Sequence, residues 1–247
     1  MHLLIPVKRF DAAKSRLAPH ISSTQRAALA AAMLEDVLAE MFQIHGLTGI
    51  SVVSAQSGLA EQLKGRARVL PEHRHGLNEA LTAALAQLTD EGVRRVLILH
   101  GDLPIARASD VQGLVDRHRD SDALVLVPDV DAKGTNAMMC SLPLDFPLQF
   151  GPKSLERHQH AAAMADRVCT TEPIPSLALD VDDLSALNTV HAIARRGAPS
   201  LAPKTRHLLC QWGMGGTRTT YRADPPTVGT FAGTAGGCTP STGEKRE

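Results

Sequence analysis

Short apolar runs alternate with amphipathic stretches along the chain as far as about Arg196. Strands are predicted at His2 to Val7, Gly49 to Ser54, Arg68 to Leu70, Val96 to Leu99, Asp122 to Val127, Ala137 to Cys140, Val168 to Thr171 and Leu177 to Val181. Helical spacing predicts helices over Thr24 to Phe42, Leu59 to Lys64, Leu77 to Leu88, Ser109 or Asp110 to Arg119, Leu155 to Asp166 and Leu184 to Arg195. In the first helix Leu29, Met33, Val37 and Met41 recur at helical spacing as a core stripe, and Ser22 or Ser23 can cap it. Strands and helices in alternation imply an α/β fold: a three-layer α/β/α sandwich on a mostly parallel sheet. From about Ala198 prolines, glycines and threonines dominate and periodicity disappears. Residues 198–247 are therefore expected as a loosely packed tail outside a domain of residues 1–197.

The run Val96-Leu97-Ile98-Leu99 is unbroken, as in a parallel strand covered on both faces. It ends in Gly101-Asp102, and Pro104 stops the ladder. Asp102 thus sits at the carboxyl end of a central strand, where open α/β sheets bind their ligands. A carboxylate there suits a hard, phosphate-carrying cation such as Mg²⁺. A helix cap after the strand is the alternative.

Lys8, Arg9, Lys14 and Arg16 crowd the loop after the first strand, a common place for phosphates. The P-loop and Gly-x-Gly-x-x-Gly patterns are absent, so side-chain cations would have to hold a triphosphate. A merely solvated basic loop has the same sequence. Gly76 opens a helix whose free N–H groups can face a base or a phosphate, and Gly151-Pro152 opens another. Both are equally plain helix starts. Asp180 and Asp182 share one face if their segment is a strand, and there they repel unless a cation lies between them or solvent reaches them. Asp182 or Asp183 can instead cap the following helix. His73 and His75, with no third ligand nearby, read as surface histidines.

Composition narrows the options. Lysine plus arginine equal aspartate plus glutamate at 26 each, so no basic field gathers nucleic acid. Aromatics make up 3%, too few for base-stacking platforms. No apolar segment is long enough for a bilayer and no signal peptide begins the chain, so a cytoplasmic protein is expected. Four scattered cysteines form no Cys-x-x-Cys pair and read as core residues in a reducing compartment.

Six motifs occur in order: Ile-Pro-Val-Lys, Ala-Lys-Ser-Arg-Leu, Gly-Asp-Leu-Pro, Pro-Asp-x-x-x-x-Gly-Thr-Asn, Phe-Gly-x-x-Ser-x-x-x-His and Leu-x-x-Asp-Val-Asp. Together they resemble the 2-phospho-L-lactate and phosphoenolpyruvate guanylyltransferases of coenzyme F-420 biosynthesis. The resemblance runs to about Arg196 and implies the nucleotidyltransferase sandwich. It implies that GTP is joined to a phosphorylated three-carbon acid (2-phospho-L-lactate, phosphoenolpyruvate or 3-phosphoglycerate) with loss of pyrophosphate. It implies Mg²⁺ on Asp102 and on one or both of Asp180 and Asp182. Thr135, Gly151 and Ser154 would hold the acid. Lys8, Lys14 and Arg16 would hold the GTP phosphates, with Gly76 beside the nucleotide and Asp102 and Lys14 at the reacting centre. Asp183 departs from the family, which often has threonine there, and the tail has no familiar counterpart. A homodimer, and handover of an unstable product to the next enzyme, are the expected associations.

Two other readings compete. Asp-x-Asp occurs at Asp129 to Asp131 and at Asp180 to Asp182, as in metal-dependent glycosyltransferases. A nucleotide-binding module without chemistry is the other.

Overall fold

Alternation along the first strand, β1 (His2–Pro6), sends Leu3 and Ile5 to one face of a sheet and Leu4 to the other. The computed structural model describes residues 1–72, 76–197 and 200–213. Its strands are β1, β2 (Gly49–Ser54), β3 (Arg68–Pro71), β4 (Arg95–Leu99), β5 (Leu124–Pro128), β6 (Thr135–Ser141) and β7 (Cys169–Thr171). They form one sheet in the order β3-β2-β1-β4-β6-β5-β7. Four neighbouring pairs are parallel, and β6 alone runs antiparallel, to β4 and β5. The expected mostly parallel sandwich is the fold.

The helices are α1 (Ser23–Met41), α2 (Leu59–Leu63), α3 (Leu77–Asp90), α4 (Ala108–Arg117), α5 (Ser154–Met164), α6 (Leu184–Arg196) and α7 (Pro203–Gln211). One face of the sheet packs on α1, α2 and α4 through Leu34, Leu63, Val111 and their neighbours. The other packs on α3 and α5 through Leu81, Leu85 and Ala162. Helix α1 starts in a capping box: Ser22 Oγ accepts from Gln25 N–H, and Gln25 Oε1 accepts from Ser22 N–H.

Two expectations are corrected. Leu177 to Val181 is not a strand. A 3₁₀ turn covers Pro175–Leu177, and the chain then runs irregularly. Asn136 Nδ2 donates to the carbonyls of Leu177 and Ala178, at 2.9 and 3.1 Å, and Val181 N–H donates to the Asp102 carbonyl. Backbone groups that a ladder would have paired are thus paired across a loop.

The domain also does not end at residue 197. Helix α7 packs on α1 and α6, and Leu201, Ala202 and Leu209 are buried with Leu29, Met33, Leu187 and Val190. Asp36, inside α1 and 2% exposed, anchors it. Its two carboxylate oxygens accept from Lys204 N–H and Thr205 N–H at 2.9 and 2.8 Å, satisfying donors that a helix start leaves free. Burial pushes the Asp36 pKa up against the pull of these hydrogen bonds. The rest of the expected tail, 214–247, lies outside the described residues.

Candidate active site

At the end of β4 the chain turns at Gly101, where a Cβ would come within 3.2 Å of Val7 and 3.3 Å of Ile5. This close packing sets Asp102 at the carboxyl edge of β1 and β4. The first loop delivers Lys14 to it. Lys14 has left-handed backbone, φ 55°, at the start of the 3₁₀ turn Ser15–Leu17. Its Nζ donates to Asp102 Oδ2 at 2.5 Å and to Asp182 Oδ1 at 3.0 Å. Burial alone would lower the Lys14 pKa; the charges of Asp102 and Asp182 outweigh it and the pKa rises. Burial alone would raise that of Asp102; the Lys14 charge reverses this, and the pKa falls. The pair is therefore ionic: ammonium and carboxylate.

Asp180 joins from the irregular segment, its Oδ1 lying 3.4 Å from Asn136 Nδ2. One oxygen each of Asp102, Asp180 and Asp182 lies within 4.8 Å of the others. Burial raises the Asp180 pKa, and the neighbouring Asp102 and Asp182 charges raise it further. Asp102 Oδ1 is buried without a hydrogen-bond partner. Clustered hard oxygen donors with one orphaned lone-pair set fit a Mg²⁺-sized cation. Asp183 takes a different part. It caps α6, its Oδ1 accepting from Ala186 N–H at 2.9 Å.

The other basic residues divide. Arg16, largely exposed, reaches Asp182 Oδ2 at 3.6 Å. Arg9 is held by Asp11 at 2.6 Å. Lys8 is exposed, and among the described residues no ion pair holds it. The second Asp-x-Asp pair is already committed. Asp129 accepts from Lys133 N–H and Gly134 N–H, both at 2.8 Å, and Asp131 faces Lys133 at 3.5 Å.

A group of buried polar side chains begins one residue before Asn136. Thr135 opens β6, and Ser154 and His158 share one face of α5. Thr135, Ser154 and His158 are all buried, and Thr135 Oγ1 lies 3.2 Å from His158 Nδ1. Leu155 N–H donates to the Lys133 carbonyl, which fixes the start of α5 against the turn before Thr135. Gly151 has φ 123°, and a Cβ there would meet nothing within 4 Å, so open space lies before the helix. Phe150 stands between two imidazoles, 5.3 Å from His100 and 4.8 Å from His158. The strand-end His100 has Nε2 buried and unpartnered, and burial keeps its pKa low despite the Asp102 charge. Gly76 reaches this wall through its helix: Asn78 Nδ2 donates to the Phe150 carbonyl and Asn78 Oδ1 accepts from Phe150 N–H, at 3.1 and 2.8 Å. Gly76 itself, φ 117°, lies under the Glu79 carboxylate. His73 and His75 lie outside the described residues.

Of the residues singled out in the sequence, Asp102, Lys14, Asp180 and Asp182 are brought together, and Thr135 and Ser154 are buried at the starts of β6 and α5. Sequence reasoning missed Asn136 and His158 as organisers, although both stand within the motifs. It also missed that Asp129 serves the backbone of its own turn, whereas the helix-cap alternative for Asp183 is the one the structure shows.

A mostly parallel sheet whose carboxyl edge gathers carboxylates and a lysine fits a nucleotidyltransferase. Solved structures share the fold. A protein described as a nucleotide-diphospho-sugar transferase, from Desulfovibrio desulfuricans G20, superposes with a TM-score of 0.69 over 85% of this chain and 95% of that one, at 16% identity. A CMP:2-keto-3-deoxy-manno-octonic acid synthetase complexed with CTP gives 0.54 over 79% and 98%, at 12% identity. The chain belongs to the CofC-like guanylyl transferase family, whose model matches residues 1–191. It is 35% identical to the phosphoenolpyruvate guanylyltransferase of Conexibacter woesei over 83% of this chain and 95% of that protein. For the enzyme of the same name from Chloroflexus aggregans the figures are 36%, 78% and 98%. The 3-phospho-D-glycerate guanylyltransferase of Colwellia psychrerythraea is 30% identical over 73% and 86%. The chain is an enzyme, and its activity is guanylyl transfer.

Proposed function

We propose that this enzyme transfers the guanylyl group of GTP to phosphoenolpyruvate, releasing pyrophosphate, in the biosynthesis of coenzyme F-420. The observation that carries the reading is the Lys14 bridge between Asp102 and Asp182, beside the orphaned Asp102 Oδ1. A site built to bring two anions together needs cations held between carboxylates, and this one has the lysine and the donors for a metal. The choice of acid follows the names of the more similar relatives, with 3-phosphoglycerate as the competitor from the Colwellia enzyme.

In the reaction an acceptor phosphate oxygen forms a bond to the α-phosphorus of GTP. The bond from that phosphorus to the bridging oxygen breaks, and pyrophosphate leaves with the electron pair. A phosphate ester with a second pKa of about 6 is already largely dianionic at pH 7. No general base is needed. Asp102, with Asp180 and Asp182, would hold Mg²⁺, which supplies positive charge to the phosphates. Lys14 neutralises the carboxylates while the site is free and turns to the phosphates of GTP when they arrive; Lys8 and Arg16 lie on the same loop for the outer phosphates. Thr135, Ser154 and the α5 start take the acid, whose charge the helix dipole favours.

No helix among the described residues is long and apolar enough to cross a membrane. A cytoplasmic enzyme, dimeric and handing its product to the next enzyme, completes the reading. The test is GTP and Mg²⁺ with phosphoenolpyruvate, 2-phospho-L-lactate and 3-phosphoglycerate in turn, reading pyrophosphate release and the mass of the adduct. Release with phosphoenolpyruvate fastest is expected. No adduct with any acid, or turnover of nucleotide sugars instead, overturns it.

A further inference from the structure

The wholly buried side chain of His158 makes two contacts that together fix its proton. Gln149 N–H points at Nε2, at 2.9 Å. A backbone N–H can only donate, so Nε2 is the bare nitrogen and the ring carries its hydrogen on Nδ1. That Nδ1–H faces Thr135 Oγ1 at 3.2 Å. The Thr135 hydroxyl is thereby the acceptor in this contact. It keeps its own proton, and among the described residues no other group takes it. Phe150 closes the ring in edge-on at 4.8 Å and 72°, and Asn78 holds the Phe150 backbone from α3. The ring therefore has one place and one tautomer.

We propose that His158 is a positioning residue for the acceptor: by donating to Thr135 Oγ1 it turns the threonine proton outward, so that the hydroxyl offers a donor, not a lone pair, to the phosphorylated acid. The proposal rests on the functional reading above. The gain lies in selection of charge. A free threonine hydroxyl rotates and can meet a neutral or cationic group with its oxygen. One that already accepts from His158 has its proton directed away from the ring and is biased towards an anion. The same ring leaves GTP untouched, because Lys14, not Thr135, stands at the carboxylates.

Two variants split the ring's two nitrogens. In His158→Asn the amide falls near Nδ1 and can still donate to Thr135, but nothing accepts from Gln149 N–H. In His158→Gln the amide falls near Nε2 and can accept from Gln149, but Thr135 loses its donor. The expected result is a crossover. Asn lowers the melting temperature more and keeps the Michaelis constant for phosphoenolpyruvate within about threefold. Gln lowers it less and raises that constant roughly tenfold or more, with the constant for GTP unchanged. In a Thr135→Val background the Gln change adds almost nothing. A purely structural histidine would make both constants follow the melting temperature; that outcome, or a full extra factor in the Thr135→Val background, overturns the proposal. Should either variant fail to fold, ¹⁵N-histidine NMR of the unaltered protein decides. An Nδ1–H signal that shifts with phosphoenolpyruvate and not with GTP is expected, and an Nε2–H tautomer, or indifference to the acid, overturns it. A wild type that releases no pyrophosphate with any of the acids sinks the functional reading instead, whatever tautomer the ring shows.

Discussion

Lys14 Nζ sits 2.5 Å from Asp102 Oδ2, and its side chain is 7% exposed although Ser15 and Arg16, which follow it, face solvent. A lysine that turns inward from an exposed loop to meet two acids stands where a divalent cation would also be drawn. Lys14→Met removes that charge and leaves the half-buried Asp102 carboxylate uncompensated. Turnover should fall by orders of magnitude, and breaking such a pair costs about 3–5 kcal/mol. Millimolar Mg²⁺ should restore more of the melting temperature in the variant than it adds to the wild type. Equal shifts in both would separate the lysine's place from the cation's.

Asp102→Asn keeps the shape and removes the charge. Lys14 keeps Asp182 as a partner at 3.0 Å, so the stability loss should be smaller than for Lys14→Met. Turnover should still drop at least a hundredfold, and titration with Mn²⁺ in the absence of GTP should show weakened binding. Near-normal activity at ordinary Mg²⁺ would remove Asp102 from the reacting centre.

The acid pocket separates from the nucleotide pocket by its variants. Ser154→Ala and Thr135→Val each delete a hydrogen bond to a charged ligand, about 1.5–3 kcal/mol. The Michaelis constant for the acid should rise roughly ten- to a hundredfold, while that for GTP stays. Gly151→Ala should be worse, because a Cβ enters the open space before α5 and strains a backbone at φ 123°. Weakened GTP binding alone in these variants would place the acid elsewhere.

Burial, with the Arg157 charge adding to it, depresses the His158 pKa to about 4, from 6.5 in the unfolded chain. The folded state then binds fewer protons than the unfolded state. Its contribution to stability is complete above pH 6.5 and is lost as the pH falls towards the folded value, by roughly 3 kcal/mol at pH 4. Urea unfolding at pH 7 and pH 4 should show this loss in the wild type and its absence in His158→Gln. A pH slope unchanged by the substitution would assign the acid sensitivity to other groups.

Asp36→Ala removes both acceptors at the start of α7. Two backbone N–H groups lose their partners, at about 1–3 kcal/mol each. The melting temperature should fall by several degrees with turnover at saturating substrate little changed, as should happen for Leu209→Ala. A melting temperature equal to wild type would show that α7 contributes nothing to the domain.

Much of this was legible in the chain. The unbroken run Val96 to Leu99, stopped by Gly101-Asp102, located the central strand and its carboxylate, because burial on both faces leaves a mark on composition. Charge alone named Lys14 only as one of four cations, and the resemblance to the family put it at the reacting centre. What singles it out is inward burial against residues far along the chain, and charge counting carries no such information. Arg9 looks the same in sequence and spends itself on Asp11. Leu177 to Val181 has the apolar content of a strand but finds no edge to join, since Asn136 and Asp102 take its backbone groups. Helix α7 was hidden for a related reason. Its N-terminal donors are satisfied by an aspartate in α1, so no local capping signal announces it.

The ion pair between Lys14 and Asp182 spans 168 positions of the chain, and the anchor from Asp36 to Thr205 spans 169. During synthesis, a ribosome that has released residue 170 has delivered every strand but the last residue of β7, yet only one of the clustered carboxylates. Lys14 then has a single acid to meet, and Asp36 waits for donors still to be made. The sheet can collapse early, since its β1–β2 and β5–β6 neighbours are adjacent in the chain, whereas the reacting centre depends on closing its longest loops. A nascent or truncated chain would thus have the architecture of a nucleotidyltransferase before it has a completed place for the cation, and its competence to act on GTP would come only with the final segments.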